Sequence, residues 1–244
     1  MSSTSQAMNP AGLGWFGRFL TSSIGRKLVM SLTGLFLISF LFVHLIGNLQ
    51  LLMGDGGDTF NEYAYFMTHN KFIKTISYLL YAGILLHAIQ GWLIWRKNRG
   101  ARGQNYRVKQ TRAVKTNAAA AKNMAAMGTI IFIFILLHMY QFWLQMKLGA
   151  VPMVTIGGKE IKDLYTPVVA VFENPVFVAI YVISMVVIAF HLLHGFQSAF
   201  QTLGLNHKKY NPLIRFVGVF ISIVIPAGFA VIPVVMYGQS MGWW

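Results

Sequence analysis

The chain contains no cysteine among its 244 residues. Disulfides, iron–sulfur clusters and zinc–thiolate sites on this chain are therefore excluded. A covalently attached c-type haem is excluded as well, because its attachment needs the C-x-x-C-H motif. Any prosthetic group on this chain must be held without a covalent link to sulfur.

Charged residues are also scarce, at 11% of the chain, whereas a soluble domain carries about 25%. Hydrophobic residues make up 56% of the sequence. These two proportions predict a membrane protein in contact with lipid. The formal net charge of +14 raises the question of nucleic acid. However, no basic segment interleaves aromatic residues on a soluble domain, so we expect no nucleic-acid partner.

Five apolar segments reach the roughly 20 residues that a helix needs to cross a bilayer. They cover about 28–52, 75–95, 123–145, 175–202 and 213–237. We predict an all-α integral membrane protein, with residues 1–27 as a cytoplasmic and interfacial segment and 28–244 as a single five-helix membrane domain. No cleavable signal peptide is expected, because the first apolar run begins only after Arg26 and Lys27 and is long enough to span.

The loop charges alternate along the chain. The N-terminal segment and the loops after the second and fourth helices hold fifteen basic residues and no acidic residue. The other loops and the C-terminal tail hold five basic residues and all six acidic residues. The positive-inside rule then predicts a cytoplasmic N-terminus and an outside C-terminus.

Histidines recur inside the apolar segments, at His44, His87, His138, His191 and His194. An ionisable side chain at membrane depth is costly and is a candidate for function. Helix rise and the predicted orientation put His44 and His138 in an outer layer, and His87 with His191 or His194 in an inner layer about 10 Å away. Two imidazoles in each layer are what two stacked haems with six-coordinate iron need, an arrangement that favours electron transfer over oxygen chemistry.

Other interpretations of the histidines stay open. A single histidine in a membrane helix is often a helix–helix hydrogen bond, as in a structural anchor without cofactor. A row of histidines can also relay protons in a transport protein, but a relay would want carboxylates at membrane depth, and all six acidic residues lie in the predicted outer loops. Depth does not choose between His191 and His194, because residues three apart share a helix face.

The chain resembles the single-chain, five-helix, di-haem cytochrome b membrane anchor of succinate dehydrogenase and fumarate reductase. The matching stretches, in chain order, are Ser31-Leu-Thr-Gly34, His44-Leu-Ile-Gly-Asn48, Phe60-Asn61-Glu62, Leu86-His87-Ala88, His138 and His191-x-x-x-Gly195-Phe196. The resemblance covers most of residues 20–237. Its specificity lies in the number of helices and in the order of the histidines.

The resemblance implies a ligand set of four histidines for two haem b groups. His44 and His138 would bind the iron of the outer haem, and His87 and His191 that of the inner haem. The family ligand in the fourth helix stands four residues before a glycine and a bulky apolar residue, which favours His191. His194 is then left beside the inner haem or as the alternative ligand.

The resemblance also implies partners. A flavoprotein subunit with FAD and an iron–sulfur subunit would dock on the cytoplasmic face of a bacterial inner membrane, with menaquinone as the electron carrier at the outer side. This chain would transfer electrons and form the quinone site, while the dicarboxylate chemistry takes place on its partners. Haem b anchors of formate dehydrogenase, hydrogenase or nitrate reductase complexes are the runner-up family.

Glu62 is the candidate for quinone protonation, because members of this family can place a glutamate just before the second helix. The competing interpretation is a solvated loop carboxylate, and His69 in the same loop is a weaker candidate. Some members also carry a glutamate two residues before the fourth-helix ligand. Ala189 stands there in this chain, which puts a transmembrane proton path in doubt.

Overall fold

The helices follow the apolar segments and add short elements between them. The structure, a computed structural model, describes residues 14–100 and 118–243. Its helices are α1 (Trp15–Thr21), α2 (Ser23–Leu49), α3 (Asp58–His69), α4 (Lys71–Gly100), α5 (Ala118–His138), α6 (Gln145–Leu148), α7 (Tyr165–Phe172), α8 (Pro175–Thr202) and α9 (Asn211–Ser240). A 3-10 turn, Gln50–Leu52, extends α2, and a π-helix, Met139–Leu144, joins α5 to α6.

Five stretches of the described residues are long and apolar enough to cross a membrane. They are Ser23–Leu52, Lys71–Gly100, Asn123–Leu148, Pro175–Thr202 and Asn211–Ser240. Large apolar side chains on them, such as Phe42, Ile133 and Ile183, are more than half exposed. Because water disfavours so much exposed apolar surface, these side chains suit a lipid environment. The predicted multi-pass helical membrane architecture is confirmed at this level.

The helix bounds differ from the predicted ones at several ends. The first long helix begins at Ser23, so the end of the predicted 1–27 segment already belongs to α2, and residues 1–13 lie outside the described part. The second span runs over 71–100 instead of 75–95, the third ends at residue 148, and the fifth covers 211–240. Hydropathy detects only the apolar part of a helix. The helical backbone hydrogen bonds continue into the polar residues on either side, so most of the helices are longer than predicted. The fourth span has its predicted bounds, because the Asn174 side chain caps Val176 N–H with Pro175 at the first position.

The predicted all-α architecture holds for the spans, and the structure adds one small β-hairpin before α7. Strands β1 (Met153–Ile156) and β2 (Lys159–Lys162) pair antiparallel with Ile156 opposite Lys159. Gly157 and Gly158 form the two-residue turn, and both have positive φ, at 58° and 76°. A turn of this type matches the twist of the flanking strands. Two adjacent glycines between short β-forming runs are a sequence signal that predicts such a hairpin.

The best-packed region lies at the end of the bundle that carries the hairpin. Its buried cluster draws on α2, α7, α8 and α9 and comprises Leu45, Leu51, Val168, Phe172, Tyr181, Ile225, Ile232 and Met236. Helix α8 packs against α2, α5 and α9, and α2 also packs against α4. These contacts bring together the four helices that carry the intramembrane histidines.

Candidate functional site: two histidine pairs

Four of the five intramembrane histidines form two pairs between helices. His44 of α2 and His138 of α5 have ring centroids 5.9 Å apart, with planes at 83°. His87 of α4 and His191 of α8 have ring centroids 6.3 Å apart, with planes at 70°. We call these the outer pair and the inner pair, after their predicted sides of the membrane. The partners are those named by depth and resemblance, while their role as ligands stays a prediction.

The two pairs lie at different levels along the helices. Gly34 of α2 faces His87 of the inner pair and precedes His44 by ten positions. On α5, Gly128 faces the other ring of the inner pair and precedes His138 by the same ten positions. Ten residues of α-helix rise about 15 Å. Two helices thus agree on a separation of about 15 Å, wider than the roughly 10 Å obtained from segment ends alone.

Aromatic side chains surround the outer pair. Phe40 stacks on His44 with ring centroids 5.1 Å apart, and Phe229 lies 5.4 Å from the same ring. Phe142 lies 5.2 Å from the His138 ring. These rings bury the outer imidazoles among apolar groups and restrict their rotation.

Glycines flank the inner pair. A Cβ placed on Gly34 would lie 3.3 Å from Cε1 of His87, and one on Gly128 would lie 4.0 Å from Cε1 of His191. The missing side chains let the backbones of α2 and α5 come close to the rings. Gly128 was not singled out from sequence, because a glycine in a membrane helix is explained equally well by close helix packing.

The Nδ1 atom of His87 has a defined hydrogen-bond partner. It lies 3.1 Å from Thr33 Oγ1, whose hydroxyl donates to the carbonyl of Val29 at 2.7 Å. With its own hydrogen committed, the Thr33 oxygen accepts from His87 Nδ1–H. The lone pair of this imidazole is then on Nε2, the atom free to bind a metal.

The other three rings differ in their Nδ1 partners. His44 Nδ1 lies 3.1 Å from Asn48 Nδ2, which also donates to the His44 carbonyl at 2.7 Å. His138 Nδ1 lies 3.4 Å from the Tyr181 hydroxyl. His191 Nδ1 is buried without a hydrogen-bond partner. The inner and outer pairs therefore each contain one ring whose Nδ1 faces a hydroxyl oxygen.

The donor set suits an iron porphyrin better than a bare ion. A structural zinc site uses four protein ligands, and residues 14–100 and 118–243 contain no group of three or more His, Asp or Glu able to hold a metal ion. A haem iron needs only one or two axial protein ligands. Two metal–nitrogen bonds of about 2 Å, plus about 1 Å from each nitrogen to its ring centre, give roughly 6 Å between ring centroids. The observed ring-centroid distances of 5.9 and 6.3 Å are close to that value, so each histidine pair could hold one metal.

The remaining predicted site residues lie apart from the two pairs. His194 is half-buried, one turn after His191 on α8. Glu62 is exposed on α3. The neighbouring Tyr63 packs where a Cβ of Gly47 would be, so α3 lies against the end of α2 just beyond His44. His69 is exposed, and its Nδ1–H donates to its own helix at the carbonyl of Tyr65, 2.9 Å away.

Asn61, next to Glu62, links α3 to the segment between the hairpin and α7. Its Nδ2 donates to Asp163 Oδ1 at 3.0 Å, and its Oδ1 accepts from two backbone N–H groups at the start of α7, at 2.8 and 3.2 Å. Burial alone would raise the pKa of Asp163, but hydrogen bonds from Thr166, Asn61 and Tyr165 outweigh burial and hold that pKa below its ordinary value. Sequence reasoning missed this role of Asn61, because its partners lie about a hundred residues away.

Comparison with family models, with curated proteins and with solved structures finds no match to this chain. The resemblance to the succinate dehydrogenase and fumarate reductase anchors therefore rests on short motifs and on the order of the histidines. The geometry of the two pairs is the independent observation from which function can be argued.

Proposed function

We propose that this chain is the di-haem cytochrome b subunit of a succinate:quinone oxidoreductase. It carries electrons between a cytoplasmic flavoprotein and iron–sulfur module and menaquinone at the outer side of a bacterial inner membrane. One observation carries the proposal: two histidine pairs, with ring centroids 5.9 and 6.3 Å apart, lie about 15 Å from each other as measured along α2 and α5. That arrangement supports a stacked electron path.

The four paired histidines would hold the two haems through their neutral imidazoles. His44 and His138 would bind the outer haem, and His87 and His191 the inner one. When bound, each haem supplies reversible one-electron exchange between ferric and ferrous iron. The chain itself fixes the imidazoles and excludes water with the aromatic and aliphatic side chains around them. His194, one turn from His191, stays the alternative inner ligand.

We place the quinone site at the predicted outer end of the helix bundle, next to α3. Glu62 is exposed there and would exchange a proton between quinone and the outer aqueous phase. The acidic residues gathered on this predicted side and the fifteen basic residues on the other support an N-terminus in the cytoplasm. The basic side would then face the catalytic partner subunits.

The haem content of the purified chain tests the proposal. The dithionite-reduced spectrum should be that of a b-type cytochrome, and the pyridine haemochrome should give two haems per chain. The double variants H44A/H138A and H87A/H191A should each retain one haem. H69A, a histidine outside the spans, should retain two. Absence of haem, or a single haem in the unaltered chain, contradicts the proposal.

Two further results assign the ligand and the complex. H194A should keep both haems, whereas loss of the inner haem would make His194 the ligand in place of His191. In membranes that contain the partner subunits, succinate should reduce both haems. Reduction by formate or hydrogen and not by succinate would place the chain in another respiratory complex.

A further inference from the structure

We propose that Tyr181 and Gln141 form a hydrogen-bond chain that orients His138 for metal binding, an inference that rests on the proposed function. The Tyr181 hydroxyl lies 2.7 Å from Gln141 Oε1 and 3.4 Å from His138 Nδ1. Tyr181 and Gln141 are both buried. Both act through His138 and are proposed as positioning residues.

The direction of the chain follows from what each atom can do. An amide oxygen only accepts, so the hydroxyl hydrogen of Tyr181 is donated to Gln141 Oε1. The Tyr181 oxygen is left with lone pairs on the side of His138. A hydrogen bond can form there only when His138 Nδ1 carries the proton. The lone pair of the neutral ring is then on Nε2, as a histidine ligand requires.

The π-helix places Gln141 next to Tyr181. It begins at Met139, directly after His138, and Gln141 is its buried residue. Its wider turn changes the side-chain register just beyond the histidine, and π-bulges in α-helices are frequent at functional sites. Phe134 and Phe172 pack on the Tyr181 ring, each with centroids 5.0 Å away. The hydroxyl is therefore held between its two partners.

Haem retention by three variants tests the chain. In Q141L the Tyr181 hydroxyl loses its acceptor and is free to donate to His138 Nδ1, which favours the wrong tautomer. We expect the outer haem to be lost about 10–100-fold faster, the usual range for loss of such a partner. Y181F removes the hydroxyl and should have a smaller effect. The double variant Y181F/Q141L lacks the competing donor and should retain the outer haem better than Q141L.

A role in packing alone predicts the opposite order, with the double variant as the worst. The midpoint potential gives a second readout. Y181F should raise the potential of the outer haem, because an imidazole without the Nδ1–H bond is less basic and stabilises ferric iron less. The control is Y81F, which removes the bond from Trp143 Nε1 to the Tyr81 hydroxyl, at 2.8 Å, without touching a histidine. It should leave both haems unchanged.

Retention of the inner haem shows that each variant is folded. If Q141L retains neither haem, the potential of Y181F decides. An unchanged outer potential in Y181F, or a double variant that loses haem faster than Q141L, overturns the inference while leaving the proposed function intact. A wild-type chain without haem would overturn the proposed function itself.

Discussion

The two histidine pairs reach nearly the same spacing by opposite means. The ring centroids are 5.9 Å apart in the outer pair and 6.3 Å apart in the inner pair. Around the outer pair the space is filled, chiefly by Phe40, Phe142 and Phe229. Beside the inner pair, Gly34 and Gly128 have no side chain, and the helix backbones come close to the rings instead. The outer imidazoles are thus held by packing, while the inner ones depend on side chains that are absent.

The pairs are alike in a second respect. One ring of each, His138 in the outer pair and His87 in the inner pair, has its Nδ1 facing a hydroxyl oxygen. The partner rings His44 and His191 lack such a contact. His44 Nδ1 instead faces the Asn48 side-chain nitrogen at 3.1 Å, and His191 Nδ1 is buried without a hydrogen-bond partner.

A side chain added at Gly34, next to His87, should have the largest effect on haem retention. A Cβ on Gly34 would already lie 3.3 Å from His87 Cε1, and the branched side chain of G34V would push the ring aside. We expect G34V to lose the inner haem and to keep the outer one, measured by pyridine haemochrome and by the reduced spectrum. G34A, with only the Cβ, should show a partial loss.

The matched control is Gly100 at the end of α4, where a Cβ would meet nothing within 4 Å. G100A should keep both haems. Equal loss of both haems in G34V would mean general misfolding, and full retention of both would remove the idea that the inner site depends on missing side chains.

Removing the hydroxyl beside His87 should have a moderate effect. T33V keeps the shape of the side chain but takes away the acceptor of His87 Nδ1–H. We expect about 10-fold faster loss of the inner haem, with the outer haem unaffected. T129V on α5 is the control, since the Thr129 hydroxyl donates to its own helix at Ala125 O, 2.9 Å away, and bonds no histidine. Equal retention of the inner haem in T33V and T129V would count against a role for Thr33.

Acid should have the smallest effect, and only at the end of the bundle that carries the hairpin. The folded-state pKa of Asp163 lies below its ordinary value of 3.8, so its contribution to stability is present above that pH and is lost as the pH falls through the folded pKa. As the pH falls from 5 to 2, amide protection in residues 153–166, measured relative to the intrinsic exchange rate at each pH, should therefore decrease before protection in the spans does. In D163N, the amide protection of residues 153–166 should no longer differ between pH 5 and pH 2. Persistence of the difference in D163N would assign the acid effect to another group.

The spans were predictable because a bilayer imposes a local rule, about 20 apolar residues per helix. Gly157 and Gly158 predict a hairpin turn in principle. However, a polar segment between two membrane spans is more simply interpreted as a loop. The helix ends were less predictable, because polar turns such as the one at Lys71 continue the backbone bonds past the apolar limit. The pairing of His44 with His138, and of His87 with His191 or His194, follows from depth, since helix rise is constant. The choice of His191 came from the resemblance and not from depth.

The sequence by itself determined the number of spans, the charge asymmetry and two layers of histidines, because each depends on composition and spacing within one segment. Only the tertiary structure decided the separation of the layers, the glycines beside the inner pair and the hydrogen-bond partners of each ring. Thr33 contacts His87, and Tyr181 contacts His138 and Gln141, each across different helices. Asn61 of α3 contacts Asp163, which lies between β2 and α7. Such contacts depend on the rotation and register of each helix. Helices that are apolar on nearly every side have no sequence pattern that predicts which face meets a neighbour.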